Sequence, residues 1–181
     1  MNTNSELPQR KPTRYKGYDY TTLGMYFVTV CTQNHACALG KIYNDIVLTK
    51  MGQIAHACWV DLPNHYSNIE LDKFVIMPNH VHGIITILSY ENALREVLCQ
   101  AAGVPSRTAP VKRYCLSEIV RGFKTFSTRR INQFLNTPGR AFWQRSFYDH
   151  IIRNDRDLQR IRQYIFTNPF KWLEDSLYMK D

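Results

Sequence analysis

The sequence contains no long run of apolar residues. Its longest apolar stretches, such as 74–77, span only a few positions, whereas a membrane-spanning helix needs roughly 20. The first two dozen residues are polar and basic, without the apolar core of a secretory signal. We therefore expect a soluble, cytoplasmic protein with no membrane partner.

Cysteine is too scarce and too scattered to organise the fold. The five cysteines are odd in number, widely separated and never arranged as Cys-x-x-Cys. Such a set favours neither a disulfide framework nor a zinc site built from cysteines. We interpret all five as small core residues: Cys31, Cys37, Cys58, Cys99 and Cys115.

Acidic residues are sparse in the C-terminal half. Residues 101–171 contain fourteen Lys and Arg against four Asp and Glu, a net charge of +10, whereas residues 1–100 are neutral overall. The whole chain carries +8 and is 44% hydrophobic, enough for the core of one folded domain. Because neutralising phosphates releases counterions, this charge favours a nucleic-acid partner. Solubility alone is the alternative explanation.

The first half of the chain predicts strands arranged around one helix. Thr49 can cap a helix with apolar residues at three- and four-residue spacing, which ends at Pro63. The dipeptide Pro78-Asn79 separates two β-rich segments, which predicts an antiparallel hairpin. Alternation of β-branched and aromatic residues predicts strands at 25–33, 36–47, 69–77 and 80–88.

The second half predicts a loop, two amphipathic helices and a last strand. A short helix at 91–100 and a flexible loop at 101–115 are expected from composition. A helix from Ser117 has one apolar face and one cationic face and ends at Thr137-Pro138-Gly139. The last strand is predicted at 142–152. Asn154 or Asp155 then caps a helix that stops at Pro169.

This order of elements, β-β-α-β-β-α-β-α, predicts an α+β fold. We expect one domain over 1–181, with a polar N-terminal arm at 1–24 and no linker long enough for a second domain. Strands mixed with few helices favour an antiparallel sheet with helices packed on one side. A ferredoxin-like core fits that order.

Two histidines form the first candidate site. His80 and His82 are two residues apart on a predicted strand, so both imidazoles project from the same face of the sheet. Such a pair can bind a divalent cation. A histidine in a polar crevice without a metal is the alternative.

A tyrosine and an asparagine on the last helix form the second candidate site. Tyr164 and Asn168 are one turn apart, with β-carbons about 6 Å apart if the helix continues that far. One side chain can act as a nucleophile while the other coordinates a metal ion. Pro169 disfavours helical backbone at Asn168, so a plain helix cap stays open for Asn168. A core position beside Ile161 and Ile165 stays open for Tyr164.

Together these residues resemble the HUH endonuclease superfamily, most closely the single-tyrosine transposases of insertion sequences and their REP-associated relatives. The resemblance runs from about Arg14 to Trp172. Its motifs, in order, are Lys16-Gly17-Tyr18-Asp19-Tyr20, Tyr26-Phe27-Val28-Thr29-Val30-Cys31-Thr32, Met77-Pro78-Asn79-His80-Val81-His82-Gly83, Val120-Arg121-Gly122-Phe123-Lys124, Trp143-Gln144-Arg145-Ser146-Phe147-Tyr148-Asp149-His150 and Tyr164-Ile165-Phe166-Thr167-Asn168-Pro169.

The resemblance implies a fold, a site and an activity. It implies a ferredoxin-like sheet, the catalytic nucleophile Tyr164, and a metal site of His80, His82 and Asn168 for Mg²⁺ or Mn²⁺. Insertion-sequence members commonly have Gln at the last position, so Asn168 follows the REP-associated variant. The implied enzyme is a transposase and endonuclease that cuts and rejoins single-stranded or hairpin DNA through a 5′-phosphotyrosine, as a monomer or homodimer.

The ligand set has a consequence for metal binding. Two neutral imidazoles and an amide supply no negative charge, so we expect the DNA-free protein to bind the metal weakly. A DNA phosphate would then supply the anionic ligand, and metal and DNA would bind cooperatively.

Basic residues of the C-terminal half, with one from the N-terminal arm, are candidates for phosphate contacts, since such contacts position DNA without reading its sequence. Each of them has a solvated surface charge as its alternative role. They are Arg121, Lys124, Arg129, Arg145, Arg153 and Arg14.

Several other functions compete with the transposase interpretation. A hydrolase of the His-x-His-x-His type needs a third histidine where Ile84 stands. Phosphoesterases with two His-x-Thr/Ser motifs are also excluded, because only His65-Tyr66-Ser67 matches. A sequence-specific nucleic-acid-binding regulator that keeps the fold without cutting stays open. A structural or protein-interaction domain leaves the charge and the motifs unexplained.

Overall fold

The computed structural model describes residues 22–43, 45–89 and 113–178. The predictions for residues 1–21, including Arg14, and for residues 90–112 lie outside the described residues. The strands are β1 (Gly24–Cys31), β2 (Gly40–Ile42), β3 (Ile46–Leu48), β4 (Ile69–Ile76), β5 (His80–Ile87) and β6 (Tyr148–Ile152). The α-helices are α1 (Lys50–Val60), α2 (Leu62–His65), α3 (Leu116–Leu135) and α4 (Asp155–Thr167). Two 3-10 helices cover Gln33–His35 and Asn168–Glu174.

Four strands form one antiparallel sheet in the order β4-β5-β1-β6. With α1 and α3 as its two crossovers, this is the strand order of a ferredoxin-like core. The α+β class and the antiparallel sheet are therefore confirmed. The strand predicted at 36–47 is instead the hairpin of β2 and β3, because the chain turns at Asp45, whose carboxylate accepts a hydrogen bond from the Ile46 amide.

The two faces of the sheet carry different helices. Side chains alternate along β1, so Tyr26 and Val28 face one cluster, built with α1 and α3, while Phe27 faces another. That second cluster contains Leu158 and Ile161 of α4. The expectation that all helices lie on one side is thus corrected: α4 covers the opposite face, because its apolar stripe packs on the even-numbered positions of β5.

The strand predicted at 142–152 is shorter than expected. Only Tyr148–Ile152 pairs with β1, and Trp143 forms an isolated bridge with Thr32. The buried Trp143 indole donates to Ser127 Oγ at 2.8 Å. The carbonyls of residues 144–146 accept from the Lys124 ammonium instead of a strand partner. Side chains of α3 therefore hold this segment, and it does not extend the ladder.

Trp59 of α1 is fully buried and lies directly above Gly83 of β5. A Cβ added at Gly83 would lie 2.3 Å from Trp59 Cζ2. The glycine between His82 and Ile84 therefore lets α1 approach the sheet at the strand that carries both histidines.

Gly83→Ala should destabilise the protein by about 1–3 kcal/mol, the usual cost of overpacking a core. Urea unfolding followed by circular dichroism measures this loss. The matched control is the same substitution in a Trp59→Phe background, where the smaller ring should reduce the cost. An equal loss in both backgrounds would contradict the close contact of Gly83 with Trp59.

No helix among the residues that the structure describes is long and apolar enough to cross a membrane.

Candidate functional site

His80 and His82 project from β5 on the face covered by α4. Both side chains are buried, and their ring centroids lie 4.3 Å apart. Their main chains pair with Cys31 and Thr29 of β1. The two-residue spacing therefore places both imidazoles together, as the alternation of a strand requires.

Neighbouring side chains fix the orientation of both rings through Nδ1. Asn79 donates its amide hydrogens to the carbonyls of His35 and Leu177, so its Oδ1 accepts from His80 Nδ1 at 2.8 Å. His82 Nδ1 lies 2.9 Å from Thr29 Oγ1. Such bonds turn Nε2 of each ring toward the site, as in metal-binding histidines.

Both imidazoles are neutral at neutral pH. Burial lowers the pKa of His80 to about 4, an effect that the Asp175 carboxylate partly opposes and His35 reinforces. Burial, with a contribution from His80, holds the pKa of His82 well below its ordinary value. The Nε2 lone pairs are therefore not blocked by protons.

Tyr164 lies on α4 above His82. Its Oη is 3.2 Å from His82 Nε2, and its ring packs edge-on against Phe27 and His82. The side chain is 41% exposed, so it is not a core residue. Burial of the hydroxyl raises the pKa of Tyr164, the Asp175 charge raises it further, and a hydrogen bond with Asn168 opposes both.

Asn168 is the helix cap that the sequence leaves open, and its side chain also lies at the site. It is the C-cap of α4, with helical backbone angles (φ −56°, ψ −41°), and its backbone N–H donates to the Tyr164 carbonyl. Its side chain is also buried beside the site, where Nδ2 donates to Asp175 Oδ2 at 2.8 Å. Its Oδ1 has no hydrogen-bond partner in the described structure.

Asp175 is the site residue that sequence reasoning missed. Its Oδ2 lies 4.0 Å from His80 Nε2, and one ligand atom each from His80, His82 and Asp175 falls within 4.8 Å of the others. A carboxylate therefore lies beside the two histidines, which the expected uncharged ligand set does not include. The sequence pattern does not reveal Asp175, because the residue follows a 3-10 helix in a segment without periodicity.

The described cationic candidates differ in what their side chains do. Lys124 donates to the carbonyls of Gln144, Arg145 and Ser146, so its ammonium holds this segment, and its contact with phosphate stays a prediction. Arg129 and Arg145 are exposed and line a cavity of about 930 Å³ between α3 and residues 138–145. Arg121 and Arg153 are also exposed.

An ion pair anchors the helix that carries Tyr164. Arg162 of α4 donates to both carboxylate oxygens of Asp72 on β4 at 2.5–3.1 Å. The Arg162 hydrogen bonds are the main reason that the pKa of Asp72 is lowered. The pair links α4 to β4 two residues before Tyr164.

Asp72→Asn should lower stability at pH 7 by about 1 kcal/mol, the upper value for a partly exposed pair. Because the folded pKa is depressed, the ionic stabilisation is present above the unfolded pKa and is lost as pH falls through the folded pKa. In urea unfolding, the difference between the two proteins should therefore be largest at pH 7 and should shrink as the pH is lowered below the ordinary pKa of aspartate. Glu70→Gln, an exposed change on the same strand, is the control. Equal losses at pH 7 and at the lower pH would contradict the ionic origin.

Two curated relatives match most of the chain. The chain is 34% identical over 179 residues to an uncharacterized protein of Haemophilus influenzae, covering 97% of both. It is 26% identical over 153 residues to a Haemophilus influenzae protein provisionally named a REP-associated tyrosine transposase, covering 84% of this chain and 74% of that protein. No family model matches the chain.

A solved structure shares the fold. A REP-associated tyrosine transposase, solved bound to a REP hairpin, superposes with a TM-score of 0.59 at 21% identity and covers 88% of this chain and 73% of its own. The resemblance to REP-associated tyrosine transposases that the sequence shows is therefore confirmed, and the solved structure shares the fold. The chain belongs to one family with the 34% identical Haemophilus influenzae protein. These relatives support a transposase-like function and an enzyme of that class.

Proposed function

We propose that the protein is a metal-dependent endonuclease and transposase that cuts and rejoins single-stranded DNA near hairpins through a 5′-phosphotyrosine. One observation carries the proposal: the Tyr164 hydroxyl lies 3.2 Å from His82 Nε2, beside a buried group of metal-ligating atoms. A tyrosine in this position can act as a nucleophile on a phosphate bound at the same place.

The donor set fits a divalent cation. His80 Nε2 and Asn168 Oδ1 are buried polar atoms without a hydrogen-bond partner in the described structure, which is costly unless a ligand satisfies them. With His82 and Asp175 they present nitrogen and oxygen donors suited to Mn²⁺ or Mg²⁺. When bound, the ion would polarise the phosphate and stabilise the charge that develops on it. The Asp175 carboxylate makes metal binding without DNA more favourable than an uncharged set would.

Tyr164 carries the covalent step. Its phenolic oxygen forms a bond to phosphorus, and the bond from phosphorus to the 3′-oxygen breaks, which leaves a free 3′-hydroxyl. One proton leaves the phenol and one is taken up by the 3′-oxygen, so the step is balanced. Because its pKa is raised, the phenol is protonated at neutral pH and must lose its proton as the bond forms. A 3′-hydroxyl can later displace the tyrosine, so no ATP is needed.

Exposed arginines supply the DNA contacts in this proposal. Arg129 and Arg145 line the cavity beside α3, and Arg121 extends the same positive surface along the helix. Arg153 follows β6 directly and adds one more exposed charge. Their attraction to phosphates is independent of base sequence and falls with salt. The solved relative was captured with a hairpin, which favours hairpin DNA as the partner.

The test is a denaturing gel of the purified protein with labelled stem-loop DNA that has single-stranded flanks. A covalent band that requires Mn²⁺ and is lost on chelation is the expected result. Asp175→Asn, which keeps the shape and removes the charge, should shift the Mn²⁺ requirement to higher concentration. If DNA is retained in a native gel but no covalent band forms on any stem-loop with flanks from the protein's own genomic hairpins, the regulator alternative replaces this proposal.

A further inference from the structure

A cavity of about 530 Å³ opens beside the Tyr164 hydroxyl, over β1 and β6. Its volume lies within the roughly 300–1,000 Å³ of small-ligand sites. Tyr148, 53% exposed, forms an aromatic wall of this cavity. Exposed rings beside a nucleophile are suited to stacking an unpaired nucleobase. Two polar residues that also line this cavity, Gln144 and His35, have no role in the covalent step.

The backbone of Gln144 is held from both sides. Its N–H donates to the Cys31 carbonyl at 2.9 Å, and its own carbonyl accepts from Lys124 Nζ at 3.0 Å. The side chain therefore projects from a fixed point. It lines both the cavity at Tyr164 and the arginine-lined cavity beside α3.

His35 fixes the Gln144 amide. The amide nitrogen lies 2.9 Å from His35 Nε2, and because an amide nitrogen only donates, His35 Nε2 accepts. The neutral ring then carries its proton on Nδ1, which is buried without a partner among the described residues. The backbone at His35 is left-handed (φ 54°), a strained conformation for a residue with a side chain. Its carbonyl is held by Asn79, which also orients His80.

The pair presents a defined pattern toward the cavity. With one amide N–H committed to His35, Gln144 keeps its Oε1 acceptor and its second N–H donor for a ligand. An acceptor beside a donor matches the amino group and adjacent ring nitrogen of adenine. An unpaired cytosine exposes the same pattern at its N4 amino group and N3, so the amide matches either of these two bases.

We propose that Gln144 is a specificity-determining residue that binds an unpaired adenine or cytosine next to the scissile phosphate, through the amino group and adjacent ring nitrogen of the base, and that His35 positions its amide. The inference rests on the proposed function for the identity of the substrate. It adds a base-reading contact to a site otherwise described only through its nucleophile and metal ligands.

The test measures binding, so that it does not depend on cleavage. Tyr164→Phe protein is titrated with fluorescent stem-loop DNAs whose flanking positions are varied through all four bases, and anisotropy gives each Kd. Adenine or cytosine should be preferred over guanine and thymine at one flanking position by about tenfold, the scale of one bidentate contact. Gln144→Ala should remove the preference, and His35→Ala should weaken it.

Two further variants separate base reading from structural support. Gln144→Glu replaces the amide N–H donors by an acceptor oxygen and should remove the preference, because neither the ring nitrogen of the base nor His35 then receives a hydrogen bond. Gln133→Ala changes an exposed glutamine of the neighbouring cavity and should leave the preference intact. Equal Kd values for the four bases at every flanking position, or a preference for adenine or cytosine that survives in Gln144→Ala, would overturn the inference. Loss of covalent chemistry alone would contradict only the proposed function.

Discussion

Replacing Tyr164 by phenylalanine is expected to abolish the covalent protein–DNA complex, with a loss in rate of at least about 10³-fold, as for the removal of other catalytic nucleophiles. The ring contacts with Phe27 and His82 would remain, so the fold and DNA binding should be preserved. Only the oxygen that attacks phosphorus is removed. Quench-flow or timed denaturing gels with Mn²⁺ and labelled DNA measure this rate.

Tyr148→Phe is the matched control for that experiment. Tyr148 lines the same cavity and is more exposed than Tyr164, yet its hydroxyl lacks the contact with His82. Adduct formation should continue in this variant. A covalent complex that survives in Tyr164→Phe and disappears in Tyr148→Phe would contradict the assignment, because Tyr148 would then be the nucleophile.

Replacing His80 by alanine is expected to weaken Mn²⁺ binding to the DNA-free protein by at least about 100-fold, since even loss of an outer hydrogen-bond partner costs 10- to 100-fold. His80 Nε2 is the buried donor nearest to Asp175 in the cluster. Its removal leaves one imidazole, a carboxylate and an amide. Calorimetric titration with Mn²⁺ measures the affinity without reference to activity.

His65→Ala provides the control for metal binding. His65 is exposed and bonded to Asp61, away from the cluster. Mn²⁺ affinity should not change in that variant, and both variants should keep their circular dichroism spectra. An unchanged Mn²⁺ affinity in a folded His80→Ala protein would contradict the assignment of the histidine pair as metal ligands.

Much of the site could be predicted because it follows local periodicity. The two-residue spacing of His80 and His82 on a strand requires a shared face, and the one-turn spacing of Tyr164 and Asn168 requires a shared side of the helix. The pairing of β5 with β1 and the packing of α4 then bring the two pairs together.

Other features depend on tertiary contacts that no local pattern encodes. Asp175 reaches His80 only because the chain after α4 folds back through a 3-10 helix. Lys124 lies on the polar face of α3, as predicted. The sequence does not show that its ammonium donates to carbonyls of the neighbouring segment, such as that of Ser146. The position of α4 on the second face follows from its apolar stripe, yet the order of elements alone did not decide between the two faces.

The most direct measurement of the central proposal is peptide mapping of the covalent complex. The wild-type protein is incubated with stem-loop DNA and Mn²⁺, digested with nuclease and protease, and analysed by tandem mass spectrometry. The nucleotide-modified peptide should contain Tyr164, with the phosphate on its phenolic oxygen and a free 3′-hydroxyl on the released strand. A modification on any other residue, or a cleaved strand with no attached protein, would contradict tyrosine-mediated transesterification.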